Sequence, residues 1–248
     1  MFRHQGKKRT LVHNLRIATV LSFVAGIVNV SGFLAFRQLT TNVTGHFALF
    51  INDVSNFDFW KGTVYFLYIF SFFLGSFTSG FLTEKFGKNK ELKIYVFPTT
   101  IEFFILIIIG FLSDSFVKDF PDLIVCALLF AMGLQNSFVT KISNAVVRTT
   151  HLTGLFTDLG IDVSHLFFPE LHPDKEKLKE NIKLRIYIIA FFFAGGLFGG
   201  LCYSKLNLKL KTLIVAALIL LISLLLDKMR YNLIKAKRKH LQRRGSFS

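Results

Sequence analysis

Tryptophan occurs once in the 248-residue chain, cysteine twice and proline four times, and the 15 acids are outnumbered two to one by the 30 bases. Cys126 and Cys202 lie in separate apolar stretches, far apart in sequence. They give no disulfide or metal framework, and each reads as a small buried hydrophobe. Enzyme signatures are missing too: there is no H-E-x-x-H, no G-x-S-x-G and no phosphate-binding glycine loop. The chain is therefore not expected to be an enzyme or to carry a cofactor. An intramembrane enzyme would rest only on His46, Asp158 and Asp162. Asp158, Asp162 and His165 fall on one helical face, with His46 and His151 elsewhere, but the spacing is too loose to predict a metal site.

What the chain does have is apolar bulk. Hydrophobic residues make up 52%, phenylalanine alone supplies 31 positions, and the mean hydropathy is +0.51. That composition points to a membrane protein. Five long stretches carry few or no charges: Ile17–Phe36, Gly62–Leu82, Leu123–Val139, Ile186–Tyr203 and Leu213–Leu226. A sixth, Ile94–Leu112, is interrupted only by Pro98 and Glu102. Each is near the length a helix needs to cross about 30 Å of hydrocarbon. The first follows a basic segment but is too long for a signal core and lacks a small-residue cleavage site, so it reads as a retained span.

The formal charge of +15 would suggest nucleic acid in a soluble protein, but placement argues otherwise. If six spans alternate from a cytoplasmic N-terminus, cytoplasmic segments hold 24 of the 30 bases, and the external loop Ser113–Asp122 is net acidic. This is an orientation signal, with both termini in the cytoplasm of a cytoplasmic (inner) membrane and no nucleic-acid partner. The basic tail "KAKRKHLQRRGSFS" is expected to lie on anionic lipid.

A repeat sets the expected architecture. "TTNVTGHFALFINDVS" at 40–55 returns as "TTHLTGLFTDLGIDVS" at 149–164, identical at eight of sixteen positions. Upstream, Gly26-Ile-Val-Asn29 matches Gly133-Leu-Gln-Asn136; downstream, "SFFLGSFTSG" (71–80) matches "FFFAGGLFGG" (191–200). The alignment predicts two membrane repeats, 17–112 and 123–226, between a basic N-terminus (1–16) and a basic tail (227–248), with a polar insertion at 169–185. Three spans per half is an odd number, so the second half is expected upside down: an all-α integral membrane protein of six transmembrane helices, built as two inverted three-helix repeats. Each repeat carries a short T-G half-helix or re-entrant segment. The rival count makes both T-G segments full spans, which gives eight helices and parallel halves and weakens the charge asymmetry to 20 of 30.

Candidate site residues follow from the repeat. In Thr44-Gly45 and Thr153-Gly154 the hydroxyl can cap a helix start and the glycine admits a ligand. Two such ends meeting near the midplane would suit a polar or anionic solute. Tight packing of small residues is the competing reading. The amides Asn29, Gln135 and Asn136 must find partners in hydrocarbon, either another helix or a shared polar centre. Asp53 and Asp162 repeat within "DVS" and read as caps or cation ligands. Glu102 lies deep in a span and must be paired or protonated, so it is a candidate for ion or proton coupling or else a structural acid. The overlapping G-x-x-x-G spacings of "GGLFGG" predict close helix packing.

With "AGIVNVSGFLAF" and "NVTGH" in the first half and "GLQNSFVTK" and "RTTHLTG" in the second, most of residues 15–226 resembles the YoaK-like family of uncharacterised bacterial multi-pass membrane proteins. The family usually shows an acid where this chain has Asn29, and Asn where it has His46. If that acid couples protons in relatives, the resemblance implies that coupling here falls to Glu102 or is absent. The resulting expectation is a transporter or channel-like protein for a small polar or anionic solute. Its partners would be membrane lipids, that solute and further copies of itself in a homo-oligomer. The alternative is a non-transporting membrane scaffold or lipid-associated protein.

Overall fold

A computed structural model describes residues 11–87, 96–143, 147, 149–171, 174–226 and 229, and every regular element among them is helical. The expectations for most of the basic N-terminus, for the segment 88–95 and for nearly all of the tail lie outside these residues. In chain order the helices are α1 Leu11–Phe36, α2 Thr44–Ser55, α3 Phe59–Gly87, α4 Val96–Gly110, α5 Asp114–Asp119, α6 Pro121–Ile142, α7 Leu152–His165 and α8 Lys175–Ser204. A 3-10 turn, Lys209–Lys211, then leads into α9 over 212–226.

Among the described residues, five elements are long and apolar enough to cross a membrane: Leu11–Phe36, Phe59–Phe86, Pro121–Lys141, Lys175–Ser204 and Lys209–Leu226. The expected third span, α4, has 15 residues within the described part, a rise of about 22 Å. Helix ends extend past the uncharged stretches because polar residues carry them. The expected insertion is largely the start of α8, where the Asp174 side chain accepts from the Lys177 N–H at 3.1 Å and caps a turn rich in lysine. Pro121 opens α6, at a position whose missing N–H costs the helix nothing.

Two helix pairs form the frame, α1 with α8 and α3 with α6, and both join one sequence half to the other. Glycines set how close they come. A Cβ on Gly26 would stand 2.2 Å from the Phe192 carbonyl oxygen, and one on Gly195 would stand 2.0 Å from that of Phe23. The matched residues of the other pair repeat the contact, Gly133 at 2.2 Å from the Phe72 oxygen and Gly75 at 2.1 Å from that of Phe130. Only a residue without a Cβ permits such backbone contact, so the small-residue spacings are close-packing devices.

The same contacts give direction. Phe23 meets Gly195 and Ile27 meets Gly199, so α1 and α8 run parallel. Tyr68 meets Asp122, Gly75 meets Phe130 and Glu84 meets Lys141, so α3 and α6 do too. The turn Lys209–Lys211 touches α1, α4 and α8, and Gly110 abuts Ile214. Helices α1, α4 and α8 therefore finish at one end of the bundle, where α9 begins.

The core gathers Leu21, Val24, Leu128, Met132, Leu213 and Ala217 between these helices. The outer faces are the reverse of a soluble protein's. Along α3, Phe66, Phe70, Phe73, Phe77 and Phe81 are all exposed and form a ladder with ring centroids 6.2, 6.2, 6.4 and 6.2 Å apart. An apolar face of this extent belongs against lipid.

Candidate functional site

Each short helix is preceded by two threonines that fold back into the bundle. Thr40 and Thr149 are matched by the repeat, and both are fully buried. The Thr40 hydroxyl donates to the Val28 carbonyl at 3.1 Å and the Thr41 hydroxyl to Asn29 Oδ1 at 3.0 Å. In the other half Gln135, the repeat-mate of Val28, reaches Thr149 with its side chain. Its Nε2 donates to Thr149 Oγ1 and to the Leu21 carbonyl, each at 3.2 Å. Leu21 O can only accept, so Nε2 must face it and Oε1 faces elsewhere. Both connections thus pin non-helical backbone to the first helix of their own half, and Gln135 also ties α6 to α1.

Several buried polar atoms in this interior have no hydrogen-bond partner among the described protein residues: Gln135 Oε1, Asn136 Oδ1, the hydroxyls of Ser22 and Ser31, and both carboxyl oxygens of Glu102. Glu102 is fully buried on the face of α4 that also buries Leu106 and Ile109. An unsatisfied buried polar group costs about 1–3 kcal/mol, so a series of them inside one bundle calls for water, an ion or a solute.

The T-G residues are elsewhere. Thr44, Gly45 and Thr153 are exposed, and Gly154 is half-buried. Helix α2 packs on α3, and α7 packs on α8. The expected meeting of the two T-G ends at a central point finds no support in the packing among the described residues. The expected capping also differs. Thr44 is the first residue of α2 and not its cap; Asn42 Oδ1 takes the Gly45 N–H at 3.3 Å instead. At α7 the residue before the helix is His151, whose ring lies over Gly154, where a Cβ would come 2.3 Å from Nδ1.

The paired aspartates diverge. Asp53 accepts from the Asn52 side chain at 3.0 Å, at the surface. Asp162 is buried and ion-paired with Arg185 of α8, which also reaches Asp158 at 3.4 Å. Sequence reasoning missed Arg185 as the partner, since it is 23 residues away and lies in what reads as an insertion. It also missed the buried threonines, although they open both copies of the repeated phrase.

At the start of α3, His46, Tyr65 and Tyr68 form an aromatic cluster. His46 Nε2 donates to the Leu39 carbonyl at 2.7 Å, and its ring lies 6.1 Å from Tyr65 (stacked) and 5.2 Å from Tyr68 (edge-on). The Tyr68 hydroxyl donates to Asp122 at the start of α6. Burial pushes the His46 imidazole below its ordinary pKa, and the Leu39 carbonyl offsets part of that. No group of three His, Cys, Asp or Glu side chains among the described residues is arranged to hold a metal ion.

Long apolar helices, lipid-type outer faces and a polar interior define a multi-pass α-helical membrane protein. More narrowly, a family model matches residues 17–226, and the chain belongs to that family, described as a protein of unknown function (DUF1275). No curated protein and no solved structure matches the chain.

Proposed function

We propose that the protein is a membrane transporter of the YoaK-like type for a small polar solute, built from two inverted repeats of three spans. The observation that carries this reading is the set of buried, unpartnered polar atoms on α1, α4 and α6. Acceptors left without a protein partner inside a membrane bundle suit a carrier, which can offer them to water and to its cargo in turn. The inverted arrangement draws support from the helix directions and from the matched glycine contacts, which couple α1 to α8 as they couple α6 to α3. The eight-span alternative runs α4 and α9 the same way across the membrane, which fits poorly with Gly110 lying beside Ile214.

The site centres on Asn29, Gln135 and Asn136 with the buried threonines, more than on the T-G ends. Gln135 Oε1, Asn136 Oδ1 and the Glu102 oxygens are acceptors, so they suit a solute rich in N–H or O–H donors better than an anion. Glu102 is the residue we assign to a coupling cation. The membrane is the cytoplasmic one, with both termini inside, from the distribution of basic residues.

Uptake of amino acids, sugars, ammonium and small carboxylates into proteoliposomes tests the reading. Gln135→Leu with Asn136→Leu should abolish flux in a protein that still folds, and Thr44→Val with Thr153→Val should leave it. Absence of flux for every class would favour the scaffold. Reporter fusions at Phe57, Lys88 and Lys118 should read outside, inside and outside; Lys88 outside with Phe57 inside would sink the six-span topology.

A further inference from the structure

The two short helices are copies of one another by sequence, yet they are fastened by different chemistry. In α7 the buried side chains are Leu155 and Asp162, and Asp162 is locked to Arg185. In α2 the single buried side chain is His46, which stands where the second copy has Leu155. Tyr65 stands where the second copy has Arg185, so Asp53, the mate of Asp162, meets no guanidinium at that position, and its side chain accepts from its neighbour Asn52. A hydrophobic anchor plus an ion pair in one copy is thus replaced in the other by one imidazole among tyrosines.

The imidazole is held in one tautomer. A carbonyl only accepts, so the 2.7 Å contact with Leu39 O puts the hydrogen on Nε2. Nδ1 is then a bare acceptor, and it is buried with no donor on it. The groups facing the ring are Leu39 O from the α1–α2 connection, Tyr65 and Tyr68 from α3 and, behind Tyr68, Asp122 of α6. Lys61, also on α3, is occupied by Asp58 at 2.7 Å. Among the described residues no carboxylate touches the imidazole. A second proton on Nδ1 would therefore put a charge into the seat with only two tyrosine rings to receive it.

We propose that His46 makes α2 a proton-released flap: the neutral imidazole seats α2 on α3, and protonation at Nδ1 lifts it. The sign follows from linkage. Burial lowers the affinity of the seated imidazole for a proton, so the unseated form binds protons more tightly. Seating is complete above the ordinary imidazole value of about 6.5 and is lost as the pH falls below it. In α7 the matching position is Leu155 and the ion pair is Asp162 with Arg185; its two histidines, His151 and His165, stand at the helix ends, so no buried imidazole seats it. The flap rests on the seating of α2 alone and holds whether or not the protein transports a solute.

Hydrogen exchange on the full chain in lipid nanodiscs, followed by mass spectrometry and corrected for the intrinsic pH dependence of exchange, tests this between about pH 7.5 and 5, a range bracketing the ordinary imidazole value. Peptides covering α2 should exchange several-fold faster at the acid end, and those covering α7 should not change. His46→Leu, which copies the second half, should hold α2 protected throughout. Leu155→His should transfer acid-induced exchange to α7, so the idea remains testable if the first variant folds poorly. Equal corrected exchange of α2 at both ends of the range, or an acid response that survives His46→Leu, overturns the proposal.

Discussion

Backbone contact at the two long helix pairs gives a quantitative test. Alanine at Gly195 places a methyl carbon 2.0 Å from the Phe23 carbonyl oxygen, and alanine at Gly75 places one 2.1 Å from that of Phe130. Both obstacles are main-chain atoms inside helices, so relief requires the helices to separate. Overpacking of this kind costs about 1–3 kcal/mol. For a chain of this size that is a loss of roughly 2–12 °C in Tm, at about 2–4 °C per kcal/mol. Repeat-mates should suffer alike because their surroundings match, so Gly26→Ala and Gly133→Ala form a second equal pair. Gly80→Ala and Gly160→Ala are the controls: nothing lies within 4 Å of the new methyl, and alanine is the better helix former by about 1 kcal/mol. Unfolding of detergent-purified protein can be followed with a fluorogenic thiol reagent that reads exposure of the buried Cys202. If Gly195→Ala and Gly75→Ala both melt at or above wild type, the helices do not touch as described and the frame is wrong.

Other outcomes follow from the interior. Glu102→Gln removes a carboxyl with no partner, so stability should stay level or rise by about 1 kcal/mol while cation-driven flux disappears and exchange persists. Coupled flux in that variant would exclude Glu102 from coupling. Gln135→Leu strips the Leu21 carbonyl and Thr149 hydroxyl of their donor and should lower stability by about 1–3 kcal/mol in the same thermal assay. Arg185→Gln leaves buried Asp162 without its counter-charge, and α7 should lose hydrogen-exchange protection while α2 keeps its own. Unchanged α7 exchange would show the ion pair to be incidental.

The all-helical membrane class is legible in the sequence, because long apolar runs report it directly, and five of the six expected spans are long and apolar enough among the described residues. The ends of helices are less so. Residues 175–185 look like a loop by composition, yet one capping aspartate makes them the opening turns of α8. The cap of α2 falls elsewhere than the sequence suggests for a related reason. Thr44 has the chemistry of a cap, but Asn42 two positions earlier is the side chain that reaches the free amide. Which threonine of a repeated phrase turns inward depends on where the connection folds back, and Thr40 does so because Gly32 leaves room for its methyl group. Glu102 was legible as a buried acid from its place in an apolar run; that both oxygens lack partners needs the neighbouring helices.

The cross-pairing of the halves has a consequence for biogenesis. Gly26 finds its partner at Gly195, 169 residues downstream. At about 5–20 residues per second, α1 waits roughly 10–30 s after emerging from the ribosome before the surface that receives it exists. During that interval the newborn helix displays an unfilled glycine groove to lipid and to any passing segment. A protein built this way leaves its first span without its partner until α8 has been made.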